Sequence, residues 1–252
     1  MGCEWSPGHY RDLVQRALDE GYRFPLVSEV GSSLPAGRLF LLRHDIDLSV
    51  VAAHAMAKIE CALGVRTSYY VRLHAPWYNP GAVGELQLLT SIHAMGHEIG
   101  LHYEPRYFEA LGRDVAAGIR GDIAHLEHQL GFKTKSVSQH EPTVGPLVET
   151  LPEGYPCAYQ RHLVIDMPYF GDSGMKWREG CVCQKLGKLE QLHALIHPAN
   201  WIRADEPWTE VLRHHAQDAG RRLEMLMEAH VEDQRIYLAN RDRLDAERRA
   251  RY

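Results

Sequence analysis

Residues 38–47 read Arg-Leu-Phe-Leu-Leu-Arg-His-Asp-Ile-Asp. The first six, 38–43, form an apolar run short enough for one buried strand. An acidic pair, Asp45 and Asp47, follows at once. In an extended segment alternate residues point the same way, so both carboxylates share one face. Two close carboxylates call for a cation or a shared proton. Asp47 also reads as the N-cap of a helix starting near Ser49.

Working outward, the hydrophobic period alternates between strand and helix. Upstream, a short amphipathic helix is expected over 10–20, closed at Gly21. Downstream the pattern predicts a helix over 49–63, stopped at Gly64, and a strand over 66–73. A helix over 84–95, stopped at Gly96, precedes a strand over 98–103. A long helix over 107–130, broken near Gly118 or Gly121, precedes a strand over 135–138. Further strands are expected near 157–159, 163–166 and 191–196. A last helix runs from near Asp205 to about 238–240, with Pro207 in its first turn. Trp208, Val211, Leu212, Leu223, Leu226 and Met227 lie on its apolar stripe. Strand followed by helix, four times in a row, implies parallel strands covered on both faces. Ligands of such sheets bind at the carboxyl ends of the strands.

The polar residues at those ends form a pattern. Residues 96–104 (GHEIGLHYE) put His102 and Glu104 on one face, and the glycines imply a close backbone approach. Residues 138–142 (SQHEP) place His140 at a third strand end, where Pro142 holds the chain extended. Residues 195–198 (LIHP) repeat the arrangement with His197. Each histidine alone also reads as a hydrogen-bonded core residue; the recurrence at one sheet edge points to a site. The glycine-punctuated loop 171–180 (GDSGMKWREG) combines Asp172, Trp177 and Arg178. That combination suits binding, or a salt bridge beside a packed tryptophan. Cys181 and Cys183 are expected to be too few for a structural zinc site.

Composition bounds the rest. The chain has 252 residues, 45% hydrophobic and 24% charged, and a net charge of -5. One domain is the natural prior for that length. No basic surface advertises nucleic acid or anionic membrane. No run approaches the roughly 18 apolar residues of a membrane span. The first twelve residues lack the apolar stretch of a secretory signal. The five cysteines make no disulfide framework, and the expected setting is reducing and cytoplasmic.

Residues 42–47, 96–103, 138–142, the 172–178 loop and His197-Pro198 together resemble the polysaccharide deacetylases, the NodB-homology group or carbohydrate esterase family 4. The likeness is nearest to the shorter cytoplasmic branch and spans about residues 8–203. It implies an α/β fold, a distorted (β/α)7 barrel; the C-terminal helix (about 205–240) lies beyond the likeness and is expected as an addition to a single domain. The helix would pack on the barrel or on a second subunit, giving a homodimer.

The resemblance implies a hydrolase using one divalent metal, usually Zn²⁺, with Co²⁺, Ni²⁺ or Fe²⁺ as alternatives. By position Asp45 matches the catalytic base, Asp47 the metal-ligand aspartate and His197 the catalytic acid. His102 matches the first histidine of the family's His-x-x-x-His motif; the second falls at Arg106. His140, arriving from a neighbouring strand end, is preferred to Glu104 as its replacement. Arg178 resembles the arginine that orients the base. Arg43, His44, Glu104, Asp172 and Trp177 are candidates for substrate contact or for support of the ligands. The implied substrate is an N-acetylated sugar, nucleotide sugar or glycosylated natural product. The rival readings are hydrolysis of a cyclic amide or imide, and sugar binding without catalysis. Tyr69, Tyr70, Trp77, Tyr78 and Tyr103 fall near strand ends, where they could stack on a sugar or pack in the core.

Overall fold

The computed structural model describes residues 3–31, 34–142, 155–203 and 205–251. Contacts divide the chain into two compact units, Met1–Val211 and Leu212–Tyr252.

Helix α1, Pro7–Asp19, begins before the expected residue 10 because Ser6 caps it. The Ser6 hydroxyl accepts from the His9 amide at 3.2 Å, with proline in the first turn. Strand β1, Leu39–Ile46, runs past its apolar stretch and takes in Asp45, with all eight residues buried. Hydrophobic periodicity cannot see a strand whose last residues are buried and polar. Helix α2, Val50–Ala62, is capped by Ser49, which accepts from the Ala52 amide. Asp47 is therefore not the cap.

β2 (Ser68–Val71), α3 (Val83–Ala94) and β3 (Glu98–Tyr103) follow in the expected order. The long helix expected over 107–130 is two: α4, Pro105–Ala110, and α5, Val115–Leu130. The break is at Gly112 (φ 63°), ahead of the Asp114 cap, and not at Gly118 or Gly121. Gly118 stays helical, and a Cβ there would stand 2.4 Å from the Phe108 ring. β4 (Val137–Gln139), β5 (Tyr169–Gly171) and β6 (Gln191–Ile196) complete the strands. The pattern did not predict β5. The strand expected at 163–166 is instead one π-helical turn, His162–Asp166, in which Leu163 is buried while Ile165 is 63% exposed. The strand expected near 157 is a single parallel bridge, Cys157 to Val137.

The six strands form one parallel sheet in the order β4-β3-β2-β1-β6-β5. Among the described residues no pairing joins β4 to β5, so this distorted (β/α) barrel is open. Alternation sorts each strand into two faces. Phe40, Leu42, Tyr69, Val71, Leu101 and Ala194 belong to the two larger apolar clusters shared with the helices. The inner face holds a smaller cluster around Leu41 and Tyr70, and above it the polar residues of the site. Gly100 is required there: a Cβ would meet the Ser136 carbonyl at 2.4 Å and the Tyr70 ring at 2.6 Å.

The second unit is helical. Helix α6, Trp208–Arg249, outruns the expected end near 240; Tyr252 lies outside the described residues. Leu223, Leu226 and Met227 of the expected stripe are exposed. No helix among the described residues is long and apolar enough to cross a membrane.

Candidate active site

The inner face of β1 presents Arg43 and Asp45, with Asp47 just beyond the strand. Arg43 is fully buried. Its Nη1 donates to both Asp45 oxygens, at 3.1 and 3.3 Å, and to the Ser138 hydroxyl. Its Nε donates to His193 Nε2 at 3.1 Å, and its guanidinium lies 4.3 Å over the Tyr159 ring. His193 Nδ1 donates in turn to the Leu163 carbonyl at 2.8 Å. That chain needs a neutral imidazole. Burial first, and then the Arg43 charge, bring the His193 pKa down to about 3. Asp45 is thus fixed from below by a side chain that is itself fixed.

Asp47, His102 and His140 bring one ligand-type atom each to within 4.8 Å of one another. They come from the end of β1, from β3 and from the residue after β4. His102 Nδ1 donates to the Ser138 carbonyl at 3.0 Å, which sets the ring so that Nε2 faces Asp47 Oδ1 at 3.4 Å. The His140 ring lies parallel to it, 5.1 Å away. Burial, helped by the neighbouring His102, lowers the His140 pKa to about 3 and leaves a neutral ring. Burial alone would raise the Asp47 pKa, but contact with His102 and the charge of His197 outweigh it and hold Asp47 ionised. Asp47 Oδ1 and His140 Nδ1 are buried without a hydrogen-bond partner. Unsatisfied buried acceptors are rare, and a cation is one explanation for them. One ionised carboxylate and two imidazoles are a donor set suited to Zn²⁺, with room left for a further ligand. The residues present therefore fit the divalent metal.

On the far side of Asp47 stands His197, its Nε2 3.5 Å from Asp47 Oδ2. Its Nδ1 donates to Asp172 Oδ1 at 2.5 Å. Asp172 is fully buried and also accepts from the His197 amide, from Asn200 Nδ2 and from Trp201 Nε1 at 2.8 Å. Burial alone would lower the His197 pKa; the Asp172 carboxylate more than reverses this and raises it to about 9. His197 therefore stands protonated at neutral pH, held in one orientation.

These groups open into a pocket of about 610 Å³. Trp77, 51% exposed, lines its mouth with Arg72, Lys176 and Arg178.

The expected site residues thus fall into two groups. Asp45, Asp47, His102, His140 and His197 converge. Arg178 lines the pocket, but the arginine bound to Asp45 is Arg43. Glu104 is turned away from the ligand set: it accepts from Arg72 Nε at 3.0 Å and from the His74 amide. His44 points to the outer face of β1, where it pairs with Glu60. Trp177 stacks on Trp5 rather than on the pocket. Arg106 is exposed and paired with Glu141 at 3.1 Å. Tyr69, Tyr70 and Tyr103 are core residues, and Tyr78 is buried, donating to the Ile46 carbonyl. Sequence reading missed the role of His193 and left that of Asp172 open. The alternation that selected Asp45 also selects Arg43, and in β6 it pairs His193 with His197 on one face.

No protein-family model matches the sequence. No curated protein matches it either. Among solved structures, the chain is similar to the chitin deacetylase of the fungal pathogen Colletotrichum lindemuthianum. The identity is 17%, over 73% of this chain and 83% of that one, with a TM-score of 0.46. It is similar to the peptidoglycan deacetylase PdaC of Bacillus subtilis at 11% identity, over 81% and 98% of the two chains, with a TM-score of 0.45. A polysaccharide deacetylase of Bacillus cereus is similar at 12% identity, over 74% and 89%, with a TM-score of 0.44.

Proposed function

We propose that this chain is a metal-dependent hydrolase that removes an N-acetyl group from a sugar, releasing acetate and an amine. One observation carries the reading: a carboxylate clamped by Arg43 and an imidazolium clamped by Asp172 flank a single set of metal-type ligands. A base and an acid held apart across one centre are what amide hydrolysis needs, because water must lose a proton and the amine must gain one. The resemblance of the strand-end motifs to the polysaccharide deacetylases supports the same class.

A divalent ion held by Asp47, His102 and His140 would supply Lewis acidity for the acetyl carbonyl. The chain's own residues do the rest. Asp45 takes the proton of the attacking water as its oxygen bonds to the carbonyl carbon. The Arg43 contacts keep Asp45 aimed. His197 Nε2 gives its proton to the nitrogen as the C–N bond breaks, so that an amine departs and not an amide anion. Asp172 holds the ring for that transfer and stabilises its charge beforehand. Trp77 at the mouth offers a face for a sugar ring.

The test is an acetate-release screen over N-acetylated nucleotide sugars and glycosides, with Zn²⁺ or with chelator. Release from at least one substrate, abolished by chelator, is expected. Fully metal-loaded protein that releases no acetate from any of them would overturn the reading.

A further inference from the structure

A second cluster lies outside this site. Cys3, His9, Cys181 and Cys183 also bring one ligand atom each to within 4.8 Å of one another. Cys3 Sγ and Cys183 Sγ are 3.5 Å apart, and Cys181 Sγ is 3.8 Å from His9 Nε2. A tetrahedral zinc ion with Zn–S bonds of about 2.3 Å sets its sulfurs about 3.8 Å apart. We propose that these four residues form a second metal site, three thiolates and one imidazole, for zinc or an equally thiophilic divalent ion.

The local structure presents the ligands without strain. Ser6 caps α1 and fixes the first turn, which carries His9. Cys181 and Cys183 flank Val182 at the head of a short 3₁₀ turn, Val182–Gln184, and Val182 is fully buried in the core. The Cys-x-Cys pair is thereby anchored from within. The missing half of the site comes from the chain start, 180 residues away in sequence between Cys3 and Cys183. Gln184 Nε2 lies 3.5 Å from Cys3 Sγ as a donor, the outer support that ligating atoms commonly have. Four protein ligands close the coordination shell, so the site is structural and not catalytic. Binding transfers the three thiol protons to solvent and leaves the site with one net negative charge.

A disulfide is the rival. It needs an S–S bond of about 2.0 Å and would use two thiols only. It leaves the third thiol and the imidazole, converging on the same point, without a purpose.

The site bears on the Asp172–His197 pair. Trp5, between Cys3 and His9, stacks on Trp177 and meets the edge of Trp201 at 4.9 Å. Trp201 donates to Asp172. An ion at the cysteines thus staples the segment carrying Trp5 to the segment that begins at Asp172. It shares no residue with the Asp47 site, so it stands whether or not that site deacetylates.

Metal analysis of the full chain tests this. Wild type is expected to hold about two ions per chain, and His102→Ala and Cys183→Ser about one each. Cobalt-loaded wild type and His102→Ala should show thiolate-to-cobalt charge-transfer absorption, which Cys183→Ser should lose. A measurement on wild type alone guards against a variant that does not fold. Native alkylation of Cys3 and Cys183 should be blocked by metal and opened by chelator, while exposed Cys61 reacts in both states. Absence of the cobalt band, alkylation indifferent to chelator, or a Cys3–Cys183 disulfide in the peptide map would each overturn the site.

Discussion

β1 carries a buried carboxylate cluster on each face, and the two are finished differently. On the outer face Glu60 accepts from Tyr10 and Tyr69 at 2.5 Å each, from Thr67 at 2.9 Å, and pairs with His44 at 2.7 Å. His97 stands 3.6 Å away and is itself tied to Thr67 and Ala57. Both Glu60 oxygens are satisfied twice over. On the inner face Asp47 Oδ1 and His140 Nδ1 have no partner. Side chains one residue apart on the same strand thus belong to a closed network and to an open one. The closed network is a structural fastening between β1, β2 and α1. The open one has capacity left for an ion and a substrate. Counting histidines and acids does not separate them; counting the unsatisfied atoms does.

The largest effect expected from this contrast is on the open side. Asp45→Asn should lower kcat/KM by about 10²–10⁴-fold, the usual worth of a general base. Metal content should stay unchanged, because the Asp47 set is intact, while the melting temperature should fall, because buried Arg43 loses the charge that faces it. Steady-state kinetics with metal analysis decides it; full activity would remove Asp45 from the chemistry. The mirror experiment is Glu60→Ala. It leaves buried His44, Tyr10 and Tyr69 without their acceptor and should cost about 3–5 kcal/mol of unfolding free energy in urea. If folded Glu60→Ala lost turnover without losing stability, the division into a structural and a working face would fail.

The acid limb sharpens the same comparison. His193 has its pKa lowered to about 3 against an ordinary 6.5. As pH falls below about 6.5 the unfolded chain takes up a proton that the folded chain refuses, so stability is lost progressively toward pH 3. Between pH 6.5 and 5.5 this amounts to about 1 kcal/mol. His193→Gln keeps a polar group beside Arg43 and should remove that share of the slope, leaving the part due to His140, measured as urea midpoints against pH. Glu60 acts lower down: its carboxyl is held at about 2 against 4.5 by His44, in spite of its burial. Its contribution is whole above about pH 4.5 and is lost as pH falls toward 2. A curve flat from pH 7 to 4.5 would show that His193 is not kept neutral in the fold.

Much of this is legible in the sequence. Parallel strands put ligands at their carboxyl ends, and alternation along residues 43–47 put Asp45 and Asp47 together. His140 and His197 followed from the same edge, since an apolar strand, a histidine and a nearby proline recur there. What escaped reading was of another kind. Arg43, and not Arg178, reaches Asp45, because an arginine inside a strand can be buried when its partners surround it, and periodicity scores it only as polar. Asp172 draws its meaning from Asn200 and Trp201 after β6. The cysteine corner joins Cys3 to Cys183 with no motif between them. Local pattern reports which face a residue takes, while contacts made across the whole chain report what it meets there.

The smallest effect belongs to a pair on neither cluster. Arg106 stands where the motif resemblance would place a second histidine, yet its side chain is 56% exposed and its partner Glu141 is 50% exposed. An ion pair so open to solvent is worth at most about 1 kcal/mol. Arg106→Ala should therefore leave stability within that margin and metal content unchanged, because His140 enters from the end of β4 to complete the set that Asp47 and His102 begin. His140→Ala should instead shed the ion from that set while the fold persists, since its Nδ1 satisfies no protein group. Measuring metal content for the two variants side by side assigns the third ligand. If Arg106→Ala lost the ion and His140→Ala kept it, the ligand would come from the 104–106 segment, and the open cluster on the inner face of β1 would have to be redrawn.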